Sequence, residues 1–198
     1  MKKGARSVIA ADIVSVKTMK PENREKGLII VYTGDGKGKT TSALGMALRA
    51  VGWGSKVLVI QFIKAWKTGE HKTIEQFLPN ITIIPAGVGF VGIMGDKKPK
   101  ADHAASAKSA LELAHKEIMS TKWQMVILDE INGAIEGGLI SISDVLTLLG
   151  SKPQNTTVVL TGRRAQPALI EKADLVTEMK KIKHPFDRGI LAKKGVDF

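Results

Sequence analysis

The sequence predicts an α/β fold, a mainly parallel β-sheet with helices on both faces. Three observations predict it. Apolar runs of five to seven residues recur between segments of helical spacing, and strands so uniformly apolar are buried on both faces, as in parallel sheets. The first run passes through a Gly-rich turn straight into a helix. The length of 198 residues and a hydrophobic content of 43% suffice for one domain with a sizeable core.

The elements follow in order. Residues 1–26 have weak periodicity and end in a polar hinge, Pro21-Glu22-Asn23-Arg24-Glu25, so they read as an N-terminal arm to a domain spanning 27–198. Gly27 to Thr33 is the first strand and Ser42 to Ala50 a helix, stopped by Gly52-Trp53-Gly54. Lys56 to Phe62 and Ile81 to Pro85 are the second and third strands. Residues 87–100 are Gly-rich and irregular. Residues 102–119 are helical from the spacing of Ala105, Leu111, Leu113, Ala114 and Ile118. Gln124 to Leu128 is a strand ending in Asp129-Glu130. Ser143 to Leu149 is a helix, Thr156 to Leu160 a strand running into Thr161-Gly162-Arg163-Arg164, Pro167 to Ala173 a helix, and Leu175 to Met179 the last strand.

The turn after the first strand is the densest signal: Gly34-Asp35-Gly36-Lys37-Gly38-Lys39-Thr40-Thr41. Glycines let backbone N–H groups converge on an anion, and the helix start adds free N–H groups and partial positive charge. Lys39 supplies a point charge to phosphates and Thr40 a hydroxyl ligand for Mg²⁺. This is a P-loop in its expected strand–turn–helix context, one residue shorter than usual and with an extra lysine, Lys37. The expected fold is thus P-loop NTPase-like (RecA-like). Ligands of such sheets sit at the carboxyl ends of the strands, which gathers Gln61, Lys64, Phe90, Asp129, Glu130 and Arg163 around the loop. Asp129 has the Walker B pattern of a Mg²⁺-holding carboxylate or is the N-cap of a following helix. Arg163 clamps phosphate or is a surface arginine. His184 sits in a polar loop, whereas His71, His103 and His115 are expected at the surface.

The net charge is +11. Much of the basic excess lies in residues 1–26, in the P-loop and in residues 179–198. Nucleic acid suits that charge, but the chain has a single tyrosine and few aromatic side chains stand among the basic clusters, so phosphate binding is the favoured explanation. No apolar run reaches the roughly 18 residues of a membrane helix. Asp12 interrupts the short apolar segment near the start, so a signal peptide is not expected. The absence of cysteine excludes disulfides and accords with a cytoplasmic location.

The loop Thr33 to Thr41 closely resembles that of the P-loop type ATP:corrinoid adenosyltransferases. The similarity continues through Ala50-Val51-Gly52, Gln61-Phe62-Ile63-Lys64, Val126 to Glu130, Thr161-Gly162-Arg163, Lys183 to Ile190 and Lys193 to Phe198. The resemblance implies transfer of the 5′-deoxyadenosyl group of ATP to Co(I) of a reduced corrinoid, with triphosphate as the leaving group. It implies Gly34, Asp35, Gly36, Lys37, Gly38, Lys39, Thr40 and Thr41 at the triphosphate, Thr40 and Glu130 at Mg²⁺ (or Mn²⁺), where the Walker B reading adds Asp129, and Arg49 and Arg163 near the nucleotide. It also implies Phe90 against the corrin, a homodimer, and a flavoprotein reductant. One departure is Gly92, where relatives often carry tryptophan. The alternatives from the residues alone are a RecA-like nucleic-acid-dependent ATPase and, more weakly, a nucleotide kinase.

Overall fold

The computed structural model describes residues 26–89 and 97–198. Phe90 and the rest of the Gly-rich segment to residue 96 lie outside the described residues, as does the expected arm apart from Lys26. Among the described residues six strands form one all-parallel sheet: β1 (Ile29–Thr33), β2 (Val57–Gln61), β3 (Ile81–Pro85), β4 (Met125–Asp129), β5 (Thr157–Thr161) and β6 (Leu175–Glu178), in the order β3-β2-β4-β5-β1-β6. The helices are α1 (Lys39–Val51), α2 (Gly69–Phe77), α3 (Lys100–Met119), α4 (Ile131–Glu136), α5 (Ile142–Ser151) and α6 (Pro167–Lys172), followed by a 3₁₀ turn at Pro185–Arg188.

The apolar runs divide by strand alternation into two cores. On one face Ile29, Val31, Leu58, Ile60, Val126, Leu128, Val158 and Leu160 meet α3, α5 and α6. On the other, Ile30, Val57, Val59, Met125, Ile127 and Val159 meet α1 and Ile74 of α2. Small residues set the helix distances. Ala43 and Ala47 on α1, and Ala107, Ala110 and Ala114 on α3, are fully or nearly fully buried, and four- or three-residue spacing aligns them along one stripe.

All six predicted strands and the four predicted helices are present, with α1 beginning at Lys39, three residues earlier than expected. Two short helices were not predicted. The polar sequence of α2 starts from a capping box in which the Thr68 backbone N–H and the Thr68 hydroxyl both meet Nδ1 of His71, at 3.1 and 3.0 Å. Two histidines expected at the surface are buried instead, His71 in this cap and His103 at the head of the α3 alanine stripe.

Strand β5 lies between β1 and β4. The ends of the strand carrying the Gly-rich loop and of the strand carrying Asp129 are therefore separated by one strand width, and the residue ending β5, Thr161, stands between them.

Candidate active site

The Gly-rich loop is built against the end of β6. The Gly36 N–H donates to the Met179 carbonyl at 2.6 Å. Gly34 adopts φ 96°, and a Cβ there would lie 2.5 Å from the Met179 oxygen, so only glycine fits. Gly38 opens α1 with no side-chain cap and no acidic residue in the first turn. By contrast, the purely structural α5 is capped by Ser141, whose hydroxyl accepts the Asp144 N–H at 3.1 Å. The start of α1 thus keeps its N–H groups and positive end turned to the loop. Lys39 is buried at 7% exposure and donates to the carbonyls of Gly34 and Gly36, both at 2.8 Å. Burial pushes its ammonium below the usual lysine range, with Glu130 opposing the shift and Arg163 adding to it.

Asp129 is fully buried at the end of β4 and collects three side-chain donors. Its Oδ1 accepts the hydroxyls of Thr40 and Thr161, each at 2.7 Å, and its Oδ2 accepts Nε2 of Gln61 at 3.0 Å. Asp129 is not a helix cap: α4 begins two residues later, at Ile131, and Glu130 occupies the N-cap position without a side-chain hydrogen bond to the helix. Glu130 has a left-handed backbone, φ 61°, a conformation costly for a non-glycine residue and concentrated at functional sites. Its N–H donates to the Thr161 hydroxyl at 2.9 Å. Burial, reinforced by the charge of Asp129, raises the Glu130 carboxyl above the ordinary range, while Lys39, Lys64 and Arg163 pull it back. The loop from Asp35 to Thr41, Glu130, Arg163 and Lys64 line one cleft of about 660 Å³.

Residues 25–198 match the family of ATP:corrinoid adenosyltransferases described as BtuR/CobO/CobP. The chain belongs to that family. A corrinoid adenosyltransferase of Sinorhizobium sp is 45% identical over 185 residues, spanning 92% of this chain and 85% of that protein. One of Pseudomonas aeruginosa is 41% identical over 175 residues, spanning 88% and 85%. One of Escherichia coli strain K12 is 37% identical over 179 residues, spanning 88% and 87%. This is an enzyme of the corrinoid adenosyltransferase class, and the RecA-like ATPase alternative gains no support.

Within this adenosyltransferase the two adjacent arginines separate. Arg163 lines the cleft, whereas Arg164 pairs with Glu136 of α4. Gly162, just before them, has φ 130°, where a Cβ would lie 2.9 Å from that of Asn132, and Arg164 itself is left-handed at φ 50°. Arg49 stands in the last turn of α1, ten residues beyond Lys39, which puts it about 15 Å along the helix axis; it does not line the cleft. Lys64 reaches the cleft paired with Glu70 at 3.0 Å. His184 serves structure, its Nδ1 accepting the Phe186 N–H at 3.1 Å. Sequence reasoning missed the role of Thr161, although its place at the carboxyl end of a buried strand was a usable signal. It also missed that Gly195 to Phe198 form a wall of this cleft.

Proposed function

We propose that this cleft binds ATP with its triphosphate over Gly34 to Thr41 and transfers the 5′-deoxyadenosyl group to the cobalt of a reduced corrinoid. The electron pair of Co(I) forms the Co–C bond at C5′. The C5′–O bond breaks, and inorganic triphosphate departs with that bond's electron pair. Charge therefore develops on the leaving group, where the uncapped start of α1, Lys39 and Arg163 stabilise it. Preorganised donors of this kind each contribute on the order of 10²–10³ in rate. The observation that carries the reading is the joining of loop and Walker B carboxylate by one buried network, Thr40–Asp129–Thr161.

The donor set fits Mg²⁺ or Mn²⁺. Thr40 and Glu130 offer hard oxygen ligands, Asp129 fixes the Thr40 hydroxyl from behind, and Gln61 Oε1 is buried without a hydrogen-bond partner. Among the described residues no cluster of three or more His, Cys, Asp or Glu side chains would hold a metal alone, so nucleotide phosphates and water complete its shell. When bound, the cation neutralises phosphate charge. The remaining parts of the proposal are a cytoplasmic homodimer whose N-terminal arm helps cover the site, a flavoprotein that reduces Co(II) to Co(I), and Phe90 on the lower face of the corrin.

The test mixes the protein, ATP, Mg²⁺ and chemically reduced cobalamin. The visible spectrum should change as the Co–C bond forms, with one triphosphate released per corrinoid alkylated. Release of ADP and phosphate without the spectral change would overturn the reading.

A further inference from the structure

One wall of the cleft is formed by Gly195 to Phe198, within a turn that begins at Lys193. The turn is closed by its own hydrogen bonds: the Asp197 N–H donates to the Lys193 carbonyl at 2.8 Å, and the Gly195 N–H to the Phe198 carbonyl at 2.8 Å. Its one acidic side chain is fixed within it, since Asp197 Oδ2 accepts the Lys193 N–H at 2.7 Å. The other carboxylate oxygen, Oδ1, pairs with Lys37, the extra lysine inside the P-loop. The turn also reaches the far side of the cleft, where a Cβ on Gly69 at the start of α2 would lie 3.9 Å from the Phe198 carbonyl carbon. It therefore spans the cleft from loop to α2, and it meets the loop through a carboxylate.

That carboxylate and a triphosphate want the same ammonium. Both are anions, both would lie on the loop, and Lys37, which lines the cleft and pairs with Asp197, is a cation they share. The pair is also weakly held, because the side chains are 44% and 22% exposed for Lys37 and Asp197, and partly exposed ion pairs contribute little against a competing charge. We propose that Asp197 is a positioning residue that competes with the triphosphate for Lys37: it yields the ammonium as ATP enters and reclaims it as inorganic triphosphate leaves. This rests on the reading of the cleft as the ATP site. It bears on turnover, because a leaving group so highly charged is held by the donors that stabilise its formation, and release steps set kcat in many enzymes. An acid at the loop that recaptures one of those donors speeds departure at a small cost in substrate affinity.

The test is calorimetric binding of ATP and of inorganic triphosphate to the wild-type chain, Asp197→Asn, Asp197→Glu, Lys37→Gln and the double variant, with steady-state kinetics alongside. Asp197→Asn should bind both polyanions tighter, on the order of fivefold, the scale of a partly exposed ion pair. It should lower KM for ATP, strengthen product inhibition by triphosphate and reduce kcat, and Asp197→Glu should restore wild-type values. In the Lys37→Gln background the asparagine substitution should change nothing. A purely structural role for Asp197 would instead weaken binding in both backgrounds and lower the melting temperature. Unchanged or weaker binding in Asp197→Asn, with the wild-type chain binding triphosphate normally, would overturn the proposal and leave the ATP site standing. A wild-type chain that binds neither ATP nor triphosphate would overturn the reading of the cleft itself, and this proposal with it.

Discussion

At the scale of single residues, the site's chemistry concentrates on Lys39 and Thr161. Lys39 is buried but borders the cleft, and its ammonium donates to the loop carbonyls of Gly34 and Gly36. Lys39→Ala is expected to leave the melting temperature within a few degrees while lowering kcat by about 10²–10³. Unchanged turnover in a folded variant would remove Lys39 from the mechanism. Thr161 acts through others: its hydroxyl donates to Asp129 and accepts from the backbone of Glu130. Loss of such a supporting contact typically weakens metal affinity by about 10–100-fold. Thr161→Val should weaken ATP-dependent Mn²⁺ binding by that factor, measured by the free-ion EPR signal, and Thr161→Ser should restore it. Equal Mn²⁺ affinity in all three proteins would make Thr161 ordinary packing. The Gly-rich loop, Lys39, Thr40, Asp129, Glu130 and Arg163 were legible in the sequence because strand, turn and helix fix where each must lie. Thr161 was not, because its role exists only once β5 is known to lie between β1 and β4.

At the scale of elements, legibility followed the apolar pattern. The strands and the longer helices carry it and were placed within a few residues. Helix α2 does not, since its sequence GEHKTIEQF buries only His71 and Ile74, and its start is marked by a histidine where a capping box usually has Glu or Gln. The burial of His71 is equally invisible in sequence, because it depends on how α2 meets the sheet. That cap has a pH signature. Burial lowers the His71 pKa, with Glu70 opposing, and Nδ1 must stay unprotonated to accept the Thr68 N–H. The unfolded chain therefore binds the proton more readily, near the ordinary histidine value of about 6.5. The stabilisation is complete above that pH and is lost as the pH falls below it toward the folded-state pKa. The wild-type melting temperature should drop between about pH 6.5 and 5 more steeply than that of His71→Gln, whose amide can accept the same N–H without titrating. Parallel pH profiles for the two proteins would refute a titrating cap.

At the scale of the whole molecule, the net charge of +11 is the property most open to misreading. On the favoured explanation it serves phosphates. DNA should then bind weakly, lose affinity steeply between about 50 and 200 mM salt and leave the rate of ATP turnover unchanged. DNA-stimulated hydrolysis at physiological salt would restore the competing ATPase reading. Among the described residues no helix is long and apolar enough to cross a membrane. The strand order has a further consequence, in time rather than in space. The phosphate loop follows β1, but both neighbours of β1 are made far later: Leu28 meets Thr157 across a separation of 129 residues, and Ile29 meets Asp174 across 145. Contacts so distant in sequence form slowly. During synthesis the loop therefore leaves the ribosome well before β5 and β6, and it has no scaffold until they have emerged and docked. A nascent chain arrested before β6 should show no affinity for ATP, so the nucleotide can stabilise only the finished sheet.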